Sequence, residues 1–175
     1  MERSEGRMER ICVKNEMALE FDAVSSNESL ARVAVAAFVS PLNPTLEEIN
    51  DIKTAVSEAV TNSIIHGYEN LYGYGKYGEK VPAYIVIHPG KVRLRCALTE
   101  DVLEIEIADD GCGIEDIDKA MEPLYTTKPQ MERSGMGFAF MEAFMDDLEV
   151  ESEPGCGTVV RMKKKLGSGS WISEE

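Results

Sequence analysis

Hydrophobic and polar positions along this chain change period several times, and those changes mark out its elements. From Ile49 the apolar residues recur at the helical spacing. Ile49, Ile52, Val56, Val60 and Ile64, joined by Ser63, fall on one broad face. Glu58, Thr61 and Asn62 fall roughly opposite, with Glu58 and Asn62 as neighbours one turn apart. A helix with one face in water carries charges freely on that face, yet between Thr54 and Gly67 the only charged residue is Glu58. The pattern predicts a helix covered on both sides, with one carboxylate and one carboxamide turned into whatever covers the second. Thr45 and Glu48 form a capping-box signal at its start, and the periodicity carries it to about Gly67.

The same reading places the other elements. Alternation of Val13, Met17, Leu19 and Phe21 predicts a first strand over Ile11–Phe21. Ser25 with Glu28 is a second capping-box signal, opening a helix through Leu30, Val33, Ala34, Ala37 and Phe38 that Pro41-Leu42-Asn43-Pro44 ends. Leu30, Val33 and Phe38 are assigned to the core, a dimer face being the alternative. The Tyr- and Gly-rich stretch 68–82 reads as a loop. Strands are predicted over Ala83–His88, Lys91–Leu98 and Val102–Ala108, the last two as a hairpin about Thr99-Glu100-Asp101. On that hairpin Arg93 and Arg95 are expected to face Glu104 and Glu106 across the solvent side, which helps set register. Ile114–Met121 predicts a short helix, and Phe138–Phe144 an apolar one. Leu148–Ser152 and Thr158–Lys165 pair as a closing hairpin around Glu153–Gly157.

Bulk properties narrow the function. At 175 residues the chain is most simply one domain, read as an N-terminal extension over 1–10, a folded unit over 11–166 and a Gly-Ser tail over 167–175. With 32 acidic against 18 basic residues its net charge is −14, which argues against direct nucleic-acid binding. No apolar run has membrane-spanning length. Cys12, Cys96, Cys112 and Cys156 are scattered, with no C-x-x-C pair and only 2 histidines in the chain. Free thiols in a cytoplasmic protein are the expectation, not a zinc site or a disulfide framework.

The chemistry is concentrated in three places. Asp109-Asp110-Gly111-Cys112-Gly113 ends a half-buried strand, and its glycines remove side chains where something must approach the main chain. Taken alone it reads first as a tight turn whose Asp bonds its own backbone. Gly135-Met136-Gly137 directly precedes a helix, where backbone N–H groups and the positive end of the helix dipole favour an anion. The loop before it supplies Thr126, Thr127, Lys128, Arg133 and Ser134, all suitable donors to phosphate oxygens. Together with the Glu58–Asn62 helix the set points to a nucleotide with Mg²⁺. One oxygen from Asn62 plus phosphate oxygens and water satisfies that ion, and Glu58 one turn earlier is suited to accept a proton. A buried hydrogen bond to a neighbouring strand remains the alternative for Asn62.

Ser57–Asn62, Asp109–Gly113 and Gly135–Phe138 resemble the three nucleotide-site boxes of the GHKL superfamily of histidine-kinase-like ATPases. Glu58–Tyr68 (EAVTNSIIHGY), Pro123–Phe138 (PLYTTKPQMERSGMGF) and Met141–Ser152 (MEAFMDDLEVES) narrow the resemblance to its sporulation anti-sigma serine kinases, over about 15–165. The resemblance implies an α/β two-layer sandwich of the Bergerat type, a mixed, mostly antiparallel sheet with helices on one face. It implies that Glu58 is the general base, Asn62 the Mg²⁺ ligand, and Asp109 the reader of the adenine amine. Gly111 and Gly113 would shape the adenine pocket, and Thr158 would assist through water. Thr127, Lys128, Gly135, Met136 and Gly137 would form the lid over ATP or ADP. Arg133 is a candidate γ-phosphate or partner contact, and Thr61 a candidate partner contact. The implied partners are an RNA-polymerase sigma factor, a small anti-anti-sigma protein phosphorylated on serine, and a second copy in a homodimer. Three rivals are a stress-response switch kinase, the catalytic module of a histidine kinase, and an ATP-holding binding module without transfer. The 68–91 segment is longer than the family pattern, and neither terminus has a counterpart in it.

Overall fold

The structure is a computed structural model and describes residues 14–68, 90–123 and 135–167. Its frame is a sheet of five strands in the order β1-β2-β3-β5-β4. These are β1 (Lys14–Asp22), β2 (Lys91–Thr99), β3 (Val102–Asp109), β4 (Asp147–Ser152) and β5 (Thr158–Lys165). All the pairings among the described residues are antiparallel. The helices are α1 (Ser26–Val39), α2 (Leu46–Asn62), α3 (Ile117–Met121) and α4 (Gly137–Phe144), and a π-helical turn, Ser63–Gly67, extends α2. The expected strand over 83–88, the terminal extension and the tail beyond Gly167 lie outside the described residues.

The period-two pattern of the central strands sorts their side chains onto two faces. Val92, Leu94, Cys96 and Leu98 of β2 are buried with Leu103, Ile105 and Ile107 of β3 and Val160 and Met162 of β5. This layer lies in one cluster with Ile52, Val56, Val60 and Ile64 from α2 and its π turn and with Ala31, Val35 and Val39 of α1. The other face is charged, but its pairs do not follow the expected hairpin. Glu106 bonds Arg161 of β5 at 3.1 Å and Glu104 bonds Lys163 at 3.1 Å, while Arg93 turns to Asp110 beyond the end of β3. Arg95 and Glu106 are opposite in register, yet the charge ladder runs from β3 to β5. The insertion of β5 beside β3, invisible in a local hairpin pattern, supplies the nearer cations.

The start of α2 is as predicted. Thr45 adopts an extended backbone, its hydroxyl accepts from the Glu48 N–H, and Glu48 Oε2 accepts from the Thr45 N–H at 2.6 Å. The Ser25–Glu28 capping box does not form. Ser25 is already helical (φ −56, ψ −28) and makes no side-chain cap, whereas a capping residue needs an extended backbone. Glu28 instead accepts from the Ser57 hydroxyl of α2 and lies 3.6 Å from Arg32 one turn on. The rotation of α1 also differs from the expectation. Ala31, Val35 and Val39 are buried, whereas Leu30 and Val33 are 51% and 59% exposed. This helix carries apolar residues nearly all round, so its pattern does not fix which stripe turns inward. The Glu28–Ser57 bond and the close approach that Ala31 permits to α2 do.

The candidate nucleotide site

α2 lies between α1 and α4, so both of its sides are covered as its pattern predicts. Ile52, Val56, Val60, Ser63 and Ile64 are buried, Ala55 and Ala59 with them, and Ile49, Glu58, Thr61 and Asn62 are half-buried. The helix does not run on as a regular α-helix to Gly67. Its last turn widens at Ser63–Gly67, an insertion of the kind that re-aims side chains and backbone at binding sites.

That wide turn is knitted to the Asp109–Gly113 turn. The Gly67 carbonyl accepts from the Cys112 N–H at 2.7 Å, and the His66 carbonyl lies 3.0 Å from Cys112 Sγ. Gly111 is required by contact and not by φ, since a Cβ there would lie 2.1 Å from the Gly67 oxygen. Gly113 is required twice over, by φ +71 and by the Glu153 carbonyl that a Cβ would meet at 2.0 Å. Gly111→Ala is therefore expected to cost about 1–3 kcal/mol through overpacking. Urea unfolding measures this, and an unchanged midpoint would show that the two turns are less tightly joined than described.

Asp109 is 3% exposed. Its Oδ1 accepts from the Gly111 N–H at 2.9 Å, and Ser63 and the Thr158 backbone also bond the carboxyl. Burial pushes its pKa above the ordinary carboxylate value, and these donors only partly offset that rise. Thr158 opens β5 opposite Asp109. Its hydroxyl lies 3.0 Å from Ser152 Oγ, which accepts from the Ile114 N–H at 2.8 Å.

Between these elements lies a cavity of about 560 Å³. Its walls include Asn62, Ser63 and His66 from α2 and its π turn, Asp109, Cys112 and Gly113 from the turn, Gly135 and Gly137 before and at the start of α4, and Thr158 of β5. Asn62, Asp109, Gly113, Gly135, Gly137 and Thr158 are thus brought to one hollow. Glu58, Thr61, Gly111 and Met136 do not line it. Glu58 stands beside it: a Cβ on Gly137 would lie 3.1 Å from Glu58 Oε2 and 3.2 Å from Asn62 Nδ2. A glycine here lets the start of α4 sit close to both groups, which a Cβ would push back by a few tenths of an ångström. Met136 gives α4 no side-chain cap, and Gly137 at its start lines the hollow together with Asn62. Thr127, Lys128 and Arg133 lie outside the described residues.

Ser63, Gly67 and His66 were not singled out by sequence reasoning, nor was Gly157, whose φ of +81 and lack of a Cβ let it reach the Asp109 carbonyl. Ser63 shares the apolar face of α2 in the sequence pattern. It is buried, but as a partner of Asp109.

Residues 23–164 match the model of the histidine kinase-like ATPase domain. The chain is 56% identical over 152 residues to the anti-sigma F factor of Clostridium beijerinckii, covering 87% of this chain and 95% of that one. The chain belongs to the anti-sigma F factor family of histidine kinase-like ATPases. It is also 52% identical over 160 residues to the anti-sigma F factor of Oceanobacillus iheyensis, across 91% of this chain and 99% of the relative. The RsbU and RsbW domains of Rv1364c from Mycobacterium tuberculosis share the fold, with a TM-score of 0.56 and 18% identity over 87% of this chain and 32% of that one. The cavity walls lie within the residues that match the histidine kinase-like ATPase domain. Among the described residues no helix is long and apolar enough to cross a membrane.

Proposed function

We propose that this chain binds Mg-ATP in the cavity, phosphorylates a serine of a small anti-anti-sigma protein, and as a cytoplasmic homodimer sequesters a sporulation sigma factor. The observation that carries the proposal is the approach of Gly137 to both Glu58 and Asn62, across the cavity from a buried carboxylate. One end of the hollow then suits an amine-bearing base and the other a polyphosphate. A pure binding module needs the second end to hold phosphate, but has no need of a carboxylate next to it. The identities of the partners rest on the anti-sigma F relatives.

The residues present fit a nucleotide and its ion. Among the described residues no three or more His, Cys, Asp or Glu side chains are grouped to hold a metal. A Mg²⁺ held by the Asn62 amide oxygen would thus complete its shell with phosphate oxygens and water, as that ion commonly does. When bound, it neutralises charge on the β- and γ-phosphates. The Gly135–Gly137 segment donates N–H groups to phosphate oxygens, and Thr127, Lys128 and Arg133 add donors from the lid. Glu58 accepts the proton of the attacking serine hydroxyl. Asp109 accepts from the exocyclic amine of adenine, with Thr158 beside it and Gly111 and Gly113 keeping the pocket open. Thr61, half-buried on the same side of α2 as Glu58, and Arg133 are the residues proposed to contact the docked substrate protein.

Incubation with γ-labelled ATP and a serine-bearing anti-anti-sigma partner tests the reading. Label on the serine, absent from its Ser→Ala variant, is the expected result. Label on a histidine, or none, overturns the kinase assignment. Asn62→Ala is expected to remove the Mg²⁺-dependent part of ATP affinity, read by titration with and without chelator, and equal affinities in the two chains would remove the ligand assignment.

A further inference from the structure

Tyr68, at the end of the π turn, joins three pieces of chain that the cavity depends on. Its ring lies against Gly90 so closely that a Cβ there would fall 2.0 Å from the ring edge. Its hydroxyl donates to the Lys91 carbonyl at 2.6 Å and accepts from the Asp110 N–H at 2.9 Å. Burial pushes the phenol pKa up, so the group stays protonated and serves both bonds at neutral pH. Asp110 is held a second time, through its side chain. Both of its carboxylate oxygens take the Arg93 guanidinium, at 2.5 and 2.7 Å.

Asp109 and Asp110 are adjacent acids with opposite fates. One is buried against the cavity and the other is drawn outward by Arg93. A rotation of the peptide between them would withdraw the Asp109 carboxylate from the cavity wall. The two grips on Asp110, one on its N–H and one on its side chain, oppose that rotation. The Gly111 bond adds nothing against it, because Gly111 belongs to the same turn and moves with it; Ser63 and the Thr158 backbone hold the carboxyl from other elements, and the grips on Asp110 act with them.

We propose that Tyr68 is a specificity-determining positioning residue, whose hydroxyl acts with Arg93 to fix Asp110 and so aim Asp109 at the exocyclic amine of a purine. This rests on the reading of Asp109 given above. Tyr68 does not line the cavity and Asp109 does, so its part is to hold the residue assigned to the base. Loss of the hydroxyl is therefore expected to weaken the adenine contact more than the phosphate end, because the hydroxyl bonds Lys91 and Asp110. Losing the net worth of about one hydrogen bond corresponds to roughly five- to tenfold in affinity.

The test is calorimetric titration of the full chain with Mg-ADP and with Mg-GDP. Tyr68→Phe keeps the ring on Gly90 and removes both hydroxyl bonds. Its ADP affinity is expected to fall about five- to tenfold with GDP affinity little changed, so the ADP-to-GDP ratio falls by the same factor. A general loosening lowers both affinities alike, and an unchanged ratio in a folded Tyr68→Phe chain overturns the proposal. Should that chain not fold, Arg93→Met, a change at the half-exposed partner, carries the test, and an unchanged ratio there overturns it equally. Asp109→Asn separates the two levels. If that variant keeps the ADP preference, the reading of Asp109 fails. If it loses the preference while Tyr68→Phe keeps it, only the role of Tyr68 fails.

Discussion

Glu58→Gln is expected to bind Mg-ATP within about twofold of the unsubstituted chain and to lose phosphotransfer by roughly 10²- to 10⁴-fold, the usual worth of a positioned general base. The substitution keeps size and shape, so the approach of Gly137 to the side chain survives and the cavity is not remodelled. Only the capacity to accept a proton goes. The position of the group supports this role over a binding one. Glu58 does not line the cavity, yet it stands at the entry of α4, one turn from Asn62, where a Cβ on Gly137 would lie 3.1 Å from its Oε2. Single-turnover transfer with saturating ATP measures the effect. Near-normal turnover would assign the base elsewhere, and a parallel loss of ATP affinity would make Glu58 a structural partner of α4.

The second large effect is expected at the other end of the hollow. Asp109→Asn should lose adenine-nucleotide affinity by roughly 10- to 150-fold, the worth of a hydrogen bond to a charged group. It should lose no stability at neutral pH. Burial holds the folded pKa of Asp109 above its ordinary value of 3.8. The sign follows from linkage: the folded chain binds this proton more readily than the unfolded one. The associated stabilisation is complete below the unfolded pKa and is lost as pH rises through the folded pKa. At pH 7 the ionised group is thus a cost, which Asn removes. Binding runs the other way. The amine of adenine needs the ionised acceptor, so affinity should decline on acidification, beginning above the range of an ordinary aspartate. The Asn variant should lack that limb. Asp110 does not obscure it, because its hydrogen bond to Arg93 lowers its pKa despite partial desolvation. A pH profile shared by both chains, or a large drop in melting temperature for Asp109→Asn, would contradict this account.

Both predictions concern residues that could be picked out before any coordinates. Glu58 is conspicuous because the pattern around it leaves no other charge, and Asp109 because two glycines follow a strand that alternates cleanly up to it. The Thr45–Glu48 cap was legible for the same reason, as its geometry is local and complete within four residues. Where the signal was equally local but the surroundings competed, it misled. Ser25 and Glu28 have the spacing of a capping box, but Glu28 finds Ser57 on the neighbouring helix. Ser63 has the position of a core residue and serves as a hydrogen-bond partner to Asp109.

Period and glycine placement on their own determined which of the described segments are helix and strand, the double covering of α2, and the glycine-rich stretches that line the cavity. These follow from side-chain direction and backbone sterics within a few residues. Tertiary structure alone decided which stripe of α1 is buried, that β5 enters beside β3 and collects its acids, and that α2 ends in a widened turn. It also decided that Tyr68 and Arg93 grip Asp110 from two sides. Each of these depends on groups far apart in the chain competing for the same partner, and a linear pattern does not contain the distances that settle such a competition.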